Sequence, residues 1–185
     1  DNNIISSALN DSGGALSVTK TDGGTWMLTG ANFYTGTTSV SSGFLGIGGA
    51  TTGTLGTAIS TGTLAISNAG IFATNAGGLT IGNAVTIAAN TSATFTGTNS
   101  ITLNGTVSLV SGNPWQIVNS IAGGTLTING NLNSIDTATA RTVDIRGTGN
   151  TFLNGNLTNT ASAFAIGLGF NTSGTVTLGG AVADG

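Results

Sequence analysis

The chain has no cysteine, no histidine, no glutamate, one proline (Pro114) and three cationic side chains in 185 residues. Each shortage removes a class of function. Without Cys or His there is no thiolate nucleophile, no imidazole base and no zinc site. Three cations cannot neutralise a phosphate backbone, which argues against nucleic-acid binding. No apolar run approaches the ~18 residues that a membrane-spanning helix requires, and no signal peptide is visible. The charged side chains are six Asp against Lys20, Arg141 and Arg146, for a net charge of −3.

What fills the chain instead is Gly (32), Thr (34) and Asn (20). Thr, Val and Ile dominate over helix formers, so an all-β chain is expected. A composition rich in Gly, Thr and Asn also suits disorder. Yet the mean hydropathy is +0.32 and the net charge is small, the reverse of the disordered signature. The length suits one domain of ordinary size. Because it opens Asp1-Asn2-Asn3 without Met, residues 1–185 read as a single segment, either a mature product or a piece of a longer protein or fibre.

A repeat of about 25 residues is visible by eye. Gly78–Val85, Ser100–Val107, Thr125–Leu132, Asn150–Leu157 and Thr175–Val182 share one pattern. Apolar residues alternate with Thr, as in Leu126-Thr127-Ile128, the period of a half-buried strand. Asn-Gly or Gly-Gly follows, then a second strand. Gly and Asn tolerate positive φ, so each Asn-Gly is read as a tight bend. A hairpin is the other reading of Asn-Gly, but a meander would not hold one constant register across most of the chain. Further copies are placed at Leu55–Ile59 and, earlier, at Leu28-Thr29-Gly30.

Strand, corner and strand at a fixed repeat make a right-handed parallel β-solenoid or β-helix. Roughly seven coils at the strand spacing of ~4.8 Å give a rod of roughly 34 Å. The expected interior file is Leu55, Ile81, Leu103, Ile128, Leu153 and Leu178. A second file holds Ile59, Val85, Val107, Leu132, Leu157 and Val182. Asn104, Asn129 and Asn154 should stack at one corner and bond through their amides. Thr54, Thr80, Thr102, Thr127 and Thr177 form an outward file that Phe152 interrupts. One coil buries too few side chains to offset the entropy of ordering it, so coils must stack. With no recognisable cap, the chain is expected to continue into more of the same, covalently or end to end with copies of itself.

The stretch from Gly24 to Ile47 is more specific: Gly24-Thr25-Trp26-Met27-Leu28-Thr29-Gly30-Ala31-Asn32-Phe33-Tyr34-Thr35-Gly36, then Thr37-Thr38-Ser39-Val40 and Gly43-Phe44-Leu45. It resembles the autotransporter-associated β-strand repeat, also called the passenger-associated transport repeat, and Gly14–Lys20 resembles that family's lead-in strand. It departs in Phe33, where Thr is common, and in a single glycine at Gly36 where two often sit. The resemblance implies a right-handed β-helix in a large bacterial secreted or cell-surface protein. It also implies a role in passage across the outer membrane and no catalytic residues to carry over. The lack of Cys suits a chain that crosses a membrane unfolded.

Chemistry is otherwise sparse. Asp136, Arg141, Asp144 and Arg146 form the one dense charge cluster, read as a surface ion pair worth ~0–1 kcal/mol. The functional alternative pairs Asp136 with Asp144 in a polysaccharide-cleaving groove. Aromatics that could stack on sugars are Trp26, Phe33, Tyr34, Phe44 and Trp115. Trp26 is read as a core or seam residue, whereas Tyr34 and Trp115 are the candidate surface contacts of an adhesin for glycans or a host surface. The scattered Asp residues make no calcium cage. The Thr file suggests an ice-binding face, although such faces usually need two parallel columns. The expectation is a non-enzymatic structural module of an extracellular fibre, with no cofactor and no metal.

Overall fold

The computed structural model describes residues 2–48, 62–110, 115–135, 140–159 and 165–183, and among these there is no helix. Strands of alternating apolar and small polar residues assemble into three walls, and every neighbouring pair is parallel. The first wall contains β1 (Asn2–Ile5), β3 (Thr25–Leu28), β5 (Phe44–Ile47), β7 (Ala69–Ala73), β10 (Ser92–Gly97), β13 (Trp115–Ile121), β16 (Arg141–Gly147) and β19 (Ile166–Thr172). The second contains β8 (Leu79–Ile81), β11 (Ile101–Leu103), β14 (Thr125–Ile128), β17 (Asn150–Leu153) and β20 (Val176–Leu178). The third contains β2 (Val18–Lys20), β4 (Thr38–Val40), β6 (Leu64–Ile66), β9 (Val85–Ile87), β12 (Val107–Leu109), β15 (Leu132–Ser134), β18 (Leu157–Asn159) and β21 (Val182–Ala183). The chain is a parallel β-solenoid. Two walls are eight strands deep and the second is five.

The coil length is less regular than the repeat suggests. Register partners Leu103, Ile128, Leu153 and Leu178 keep one constant spacing. Val18 meets Thr38, and Thr25 meets Phe44, over shorter coils, whereas Trp115 meets Val143 over a longer one. The short coils belong to the N-terminal part, where no second-wall strand is described before β8. The parallel bridge Asn10–Phe33 stands between β1 and β2 on one coil and between β3 and β4 on the next. Leu28 is therefore not an early copy of the Ile81 position. It lies in the first wall, between Ile5 and Ile47.

The core follows the strand period. In β13, Trp115, Ile117, Asn119 and Ile121 point inward and are buried, while Gln116, Val118 and Ser120 alternate outward. Apolar files run up the interior, for example Leu45, Ile71 and Phe95, all fully buried. At ~1.5–3 kcal/mol per buried Leu, Ile, Val or Phe side chain, these files are the main source of stability. The inward file is polar at one point, where Asn119 follows Phe95. Its Nδ2 donates to the Asn150 carbonyl at 2.8 Å and to Thr151 Oγ1 at 3.0 Å, and its Oδ1 accepts from the Ile121 amide at 3.1 Å. Fully partnered, this buried amide avoids the desolvation cost that an orphan would carry.

Candidate functional site

Ile81, Leu103, Ile128, Leu153 and Leu178 are successive register partners in the second wall. Val85, Val107, Leu132, Leu157 and Val182 are successive partners in the third. Thr80, Thr102, Thr127, Phe152 and Thr177 form the outward file of the second wall. Thr54, Leu55 and Ile59 lie outside the described residues, as do Asp136 and Pro114.

The corner between the second and third walls is built from two side-by-side columns. Asn129 Nδ2 donates to Asn104 Oδ1, and Asn154 Nδ2 donates to Asn129 Oδ1, both at 2.9 Å. Beside them, Gly105, Gly130, Gly155 and Gly180 stand one above another, and a Cβ on any of them would overlap the backbone carbonyl of the coil below. Positive φ is not the reason for these glycines. The described glycines with positive φ are Gly13, Gly43, Gly78, Gly97, Gly123 and Gly147. The corner glycines are needed because successive turns touch backbone to backbone.

A second amide relay follows the same corner and is not obvious from the repeat. Asn131 Oδ1 accepts from the Asn156 amide at 3.0 Å, and Asn156 Oδ1 accepts from the Ala181 amide at 2.9 Å. The Asn-Gly-Asn triplets at 129–131 and 154–156 are its sequence signal. Where the order inverts, at Gly82-Asn83, the column is interrupted. Asn83 is buried, and its Nδ2 donates instead to the Gly62 carbonyl at 2.7 Å.

Both candidate surface aromatics are interior. Trp115 is fully buried at the start of β13, and its Nε1 donates to the Val110 carbonyl at 2.7 Å. Tyr34 is buried as well, with its hydroxyl 2.6 Å from Thr38 Oγ1. Burial pushes the Tyr34 phenol above its ordinary range, against the smaller opposing effect of the Thr38 hydrogen bond. Neither side chain can present a ring to a glycan. Trp26 stands in the inward file below Leu45 but remains 39% exposed, because it lines a cavity at the N-terminal mouth.

That cavity, about 370 Å³, is walled by Ile5, Val18, Lys20, Trp26, Leu28 and Leu45 among others. Lys20, the lead-in lysine, is buried in the third wall. Its Nζ donates to the carbonyls of Thr21, Asp22 and, at 3.1 Å, Ser42, so one ammonium ties the turns of two successive coils. Asp11 makes a comparable clamp outside. Its Oδ1 accepts from the Leu16 amide at 2.8 Å and the Thr35 amide at 3.2 Å, and its Oδ2 accepts from the Thr35 hydroxyl at 2.7 Å. The Leu16 amide first, then the Thr35 hydroxyl and amide, hold this carboxyl below its ordinary 3.8.

Asp144 and Arg146 project from one strand of the first wall and pair at 2.8 Å. The carboxylate lies over Gly169, where a Cβ would displace it. The other described carboxylates, Asp11 and Asp22, are on the lowest coils, about 24 Å away or more at ~4.8 Å per coil. Among the described residues no second carboxylate flanks Asp144, and no cluster of three potential metal ligands occurs.

Fold and corners together describe a stacked column in which backbone groups and Asn side chains hold one coil to the next. Residues 18–47 match the family model of the passenger-associated transport repeat. The chain thus carries a repeat of that family, comprising β2, β3, β4 and β5. No curated protein and no solved structure shows a significant match. The repeat family implies a secreted or cell-surface protein.

Proposed function

We propose that the chain is a rigid rod segment of a bacterial extracellular or surface fibre, and that its column is extended end to end by copies of itself. One observation carries this reading. On the last coil, Phe170, Leu178 and Val182 are 53%, 47% and 54% exposed, yet each stands in file with a buried residue, Ile145, Leu153 and Leu157 respectively. These are interior positions that a further coil, from a second copy or from the same chain, would cover. The outer edges of β19, β20 and β21 carry no described strand, and an open parallel edge is a template for pairing. A further coil would cover both features at once.

Sedimentation across a concentration series tests this on the 185-residue chain. Concentration-dependent growth into longer rods is expected, and Leu178→Lys with Val182→Lys should abolish it. A monomer at every concentration, or association that ignores the double substitution, contradicts the proposal.

A further inference from the structure

Three Asn-Gly pairs occur in the chain, Asn104-Gly105, Asn129-Gly130 and Asn154-Gly155, and they stand at the same corner in successive coils. The three Asn residues are all exposed and the three glycines all half-buried, so access of water does not separate them. Their local sequences are alike too, each pair following Leu or Ile at the end of a strand. Their hydrogen bonds differ. The Gly130 amide donates to the Leu103 carbonyl at 3.2 Å, and the Gly155 amide to the Ile128 carbonyl at 3.1 Å. Gly105 has no such bond: the equivalent carbonyl, Ile81, accepts from the Asn104 amide at 2.8 Å and not from Gly105. The coil beneath turns there through Gly82-Asn83 instead of Asn-Gly.

The side chains differ in the same direction. Asn129 Nδ2 is held by Asn104 Oδ1, and Asn154 Nδ2 by Asn129 Oδ1, both at 2.9 Å. Asn104 is the lowest rung, and among the described residues nothing accepts from its Nδ2. Its Oδ1 accepts from Asn129 just as Asn129 Oδ1 accepts from Asn154, so that bond does not distinguish these two rungs.

An amide nitrogen directly after an Asn can close a five-membered ring on the side-chain Cγ. Closure needs a backbone N–H free to lose its proton, an open approach, and an Nδ2 free to leave. Glycine provides the approach by having no Cβ. Of the three pairs, only Asn104-Gly105 has both nucleophile and leaving group unbound. Each bond that must first be broken slows closure by about two- to tenfold.

We propose that Asn104 is a site of spontaneous deamidation, while Asn129 and Asn154 are protected by the coils beneath them. The Gly105 amide gives its proton to a base in water, and its nitrogen bonds to Asn104 Cγ. The Cγ–Nδ2 bond breaks, and Nδ2 takes up a proton and leaves as ammonia. Water then adds to one of the two imide carbonyls. Addition at Cγ breaks the new bond and gives aspartate; addition at the main-chain carbonyl carbon breaks the original peptide bond and gives isoaspartate. The balance is one water in and one ammonia out. Aspartate keeps the rung, because Asn129 Nδ2 can donate to a carboxylate oxygen. Isoaspartate lengthens the main chain by one carbon at a corner where turns touch backbone to backbone. The inference is independent of end-to-end growth, because the corner lies on the side of the column.

The test incubates the whole chain in mildly alkaline buffer, beside a sample unfolded in guanidinium, and follows the three pairs by peptide mapping and mass spectrometry. In the folded chain Asn104 should convert about fivefold or more faster than Asn129 or Asn154, giving both aspartate and isoaspartate. In guanidinium the three rates should converge. No conversion at Asn104, equal rates in the folded chain, faster loss at Asn129 or Asn154, or the same preference in guanidinium would overturn the inference.

Discussion

The two ends of the column solve the same problem differently. From β8 onward the chain winds through three walls, settling at a constant coil length, and identical residues meet at identical corners. There, Asn and Gly recur at the same corner in successive coils. From β2 to β5 the coils are shorter, and the corners do not repeat. That region relies on single devices instead, the buried Lys20 ammonium and the Asp11 carboxylate, each bridging two coils once. A constant coil length permits a ladder of small neutral groups, while a variable one calls for charged clamps placed individually.

The largest expected contrast is between the two tryptophans. Trp115→Ala removes a fully buried ring from a complete coil and should cost about 3–5 kcal/mol. Trp26→Ala, at the open mouth, should cost less than half of that, as urea unfolding of both variants would show. Equal losses would mean that the N-terminal coils are packed as tightly as the rest.

Next come the glycines. Gly130→Ala forces a Cβ into the Gly105 carbonyl and should cost about 3 kcal/mol. Gly77→Ala meets nothing within 4 Å and should be neutral or mildly stabilising, by up to about 1 kcal/mol. Thermal melts of the two variants check this.

Lys20→Met should cost about 2 kcal/mol by leaving its carbonyls without a donor. The loss should remain local, since each coil contacts only its neighbours. Hydrogen exchange is expected to quicken at Ser41 and stay unchanged at Asn154. Asn129→Ala removes two exposed amide bonds and should cost about 1 kcal/mol, this time in the upper coils alone.

The smallest effect is that of pH. Asp11 has a lowered folded value, so its contribution is complete above 3.8 and is lost as pH falls through that lowered value. The amide resonances of Leu16 and Thr35 should move in acid, while those of Asn129 and Asn154 hold still. Simultaneous movement of both sets would contradict separate clamps.

The upper part of the fold was legible in the sequence because its signals coincide. Alternating Leu-Thr-Ile, Asn-Gly and an unvarying spacing all place Leu103, Ile128 and Leu153 in one file. The lower part was not, because there the spacing changes and Leu28 matches the repeat only in local pattern, while its wall is different. The first wall is partly hidden by Asn119, which interrupts an otherwise apolar inward file. Reading Trp115, Ile117 and Ile121 as one alternating strand would have placed the tryptophan inside. Tyr34 gave no such signal, since it is buried from an irregular segment by its bond to Thr38. The rings of Phe44 and Phe72 occupy space that Gly70 and Gly46 leave free, glycines a full coil away in sequence, a pairing that only the register reveals.

Whether coils lie directly over one another is decided most directly by NMR couplings through hydrogen bonds at the repeating corner. The Asn129 amide nitrogen should couple to the Leu103 carbonyl carbon, Asn154 to Ile128 and Gly179 to Leu153, each bond being 2.8 Å long. Three couplings in that order, each one coil further along the chain, are predicted. Couplings that run in the opposite sense, as between antiparallel hairpins, would contradict the stacked column.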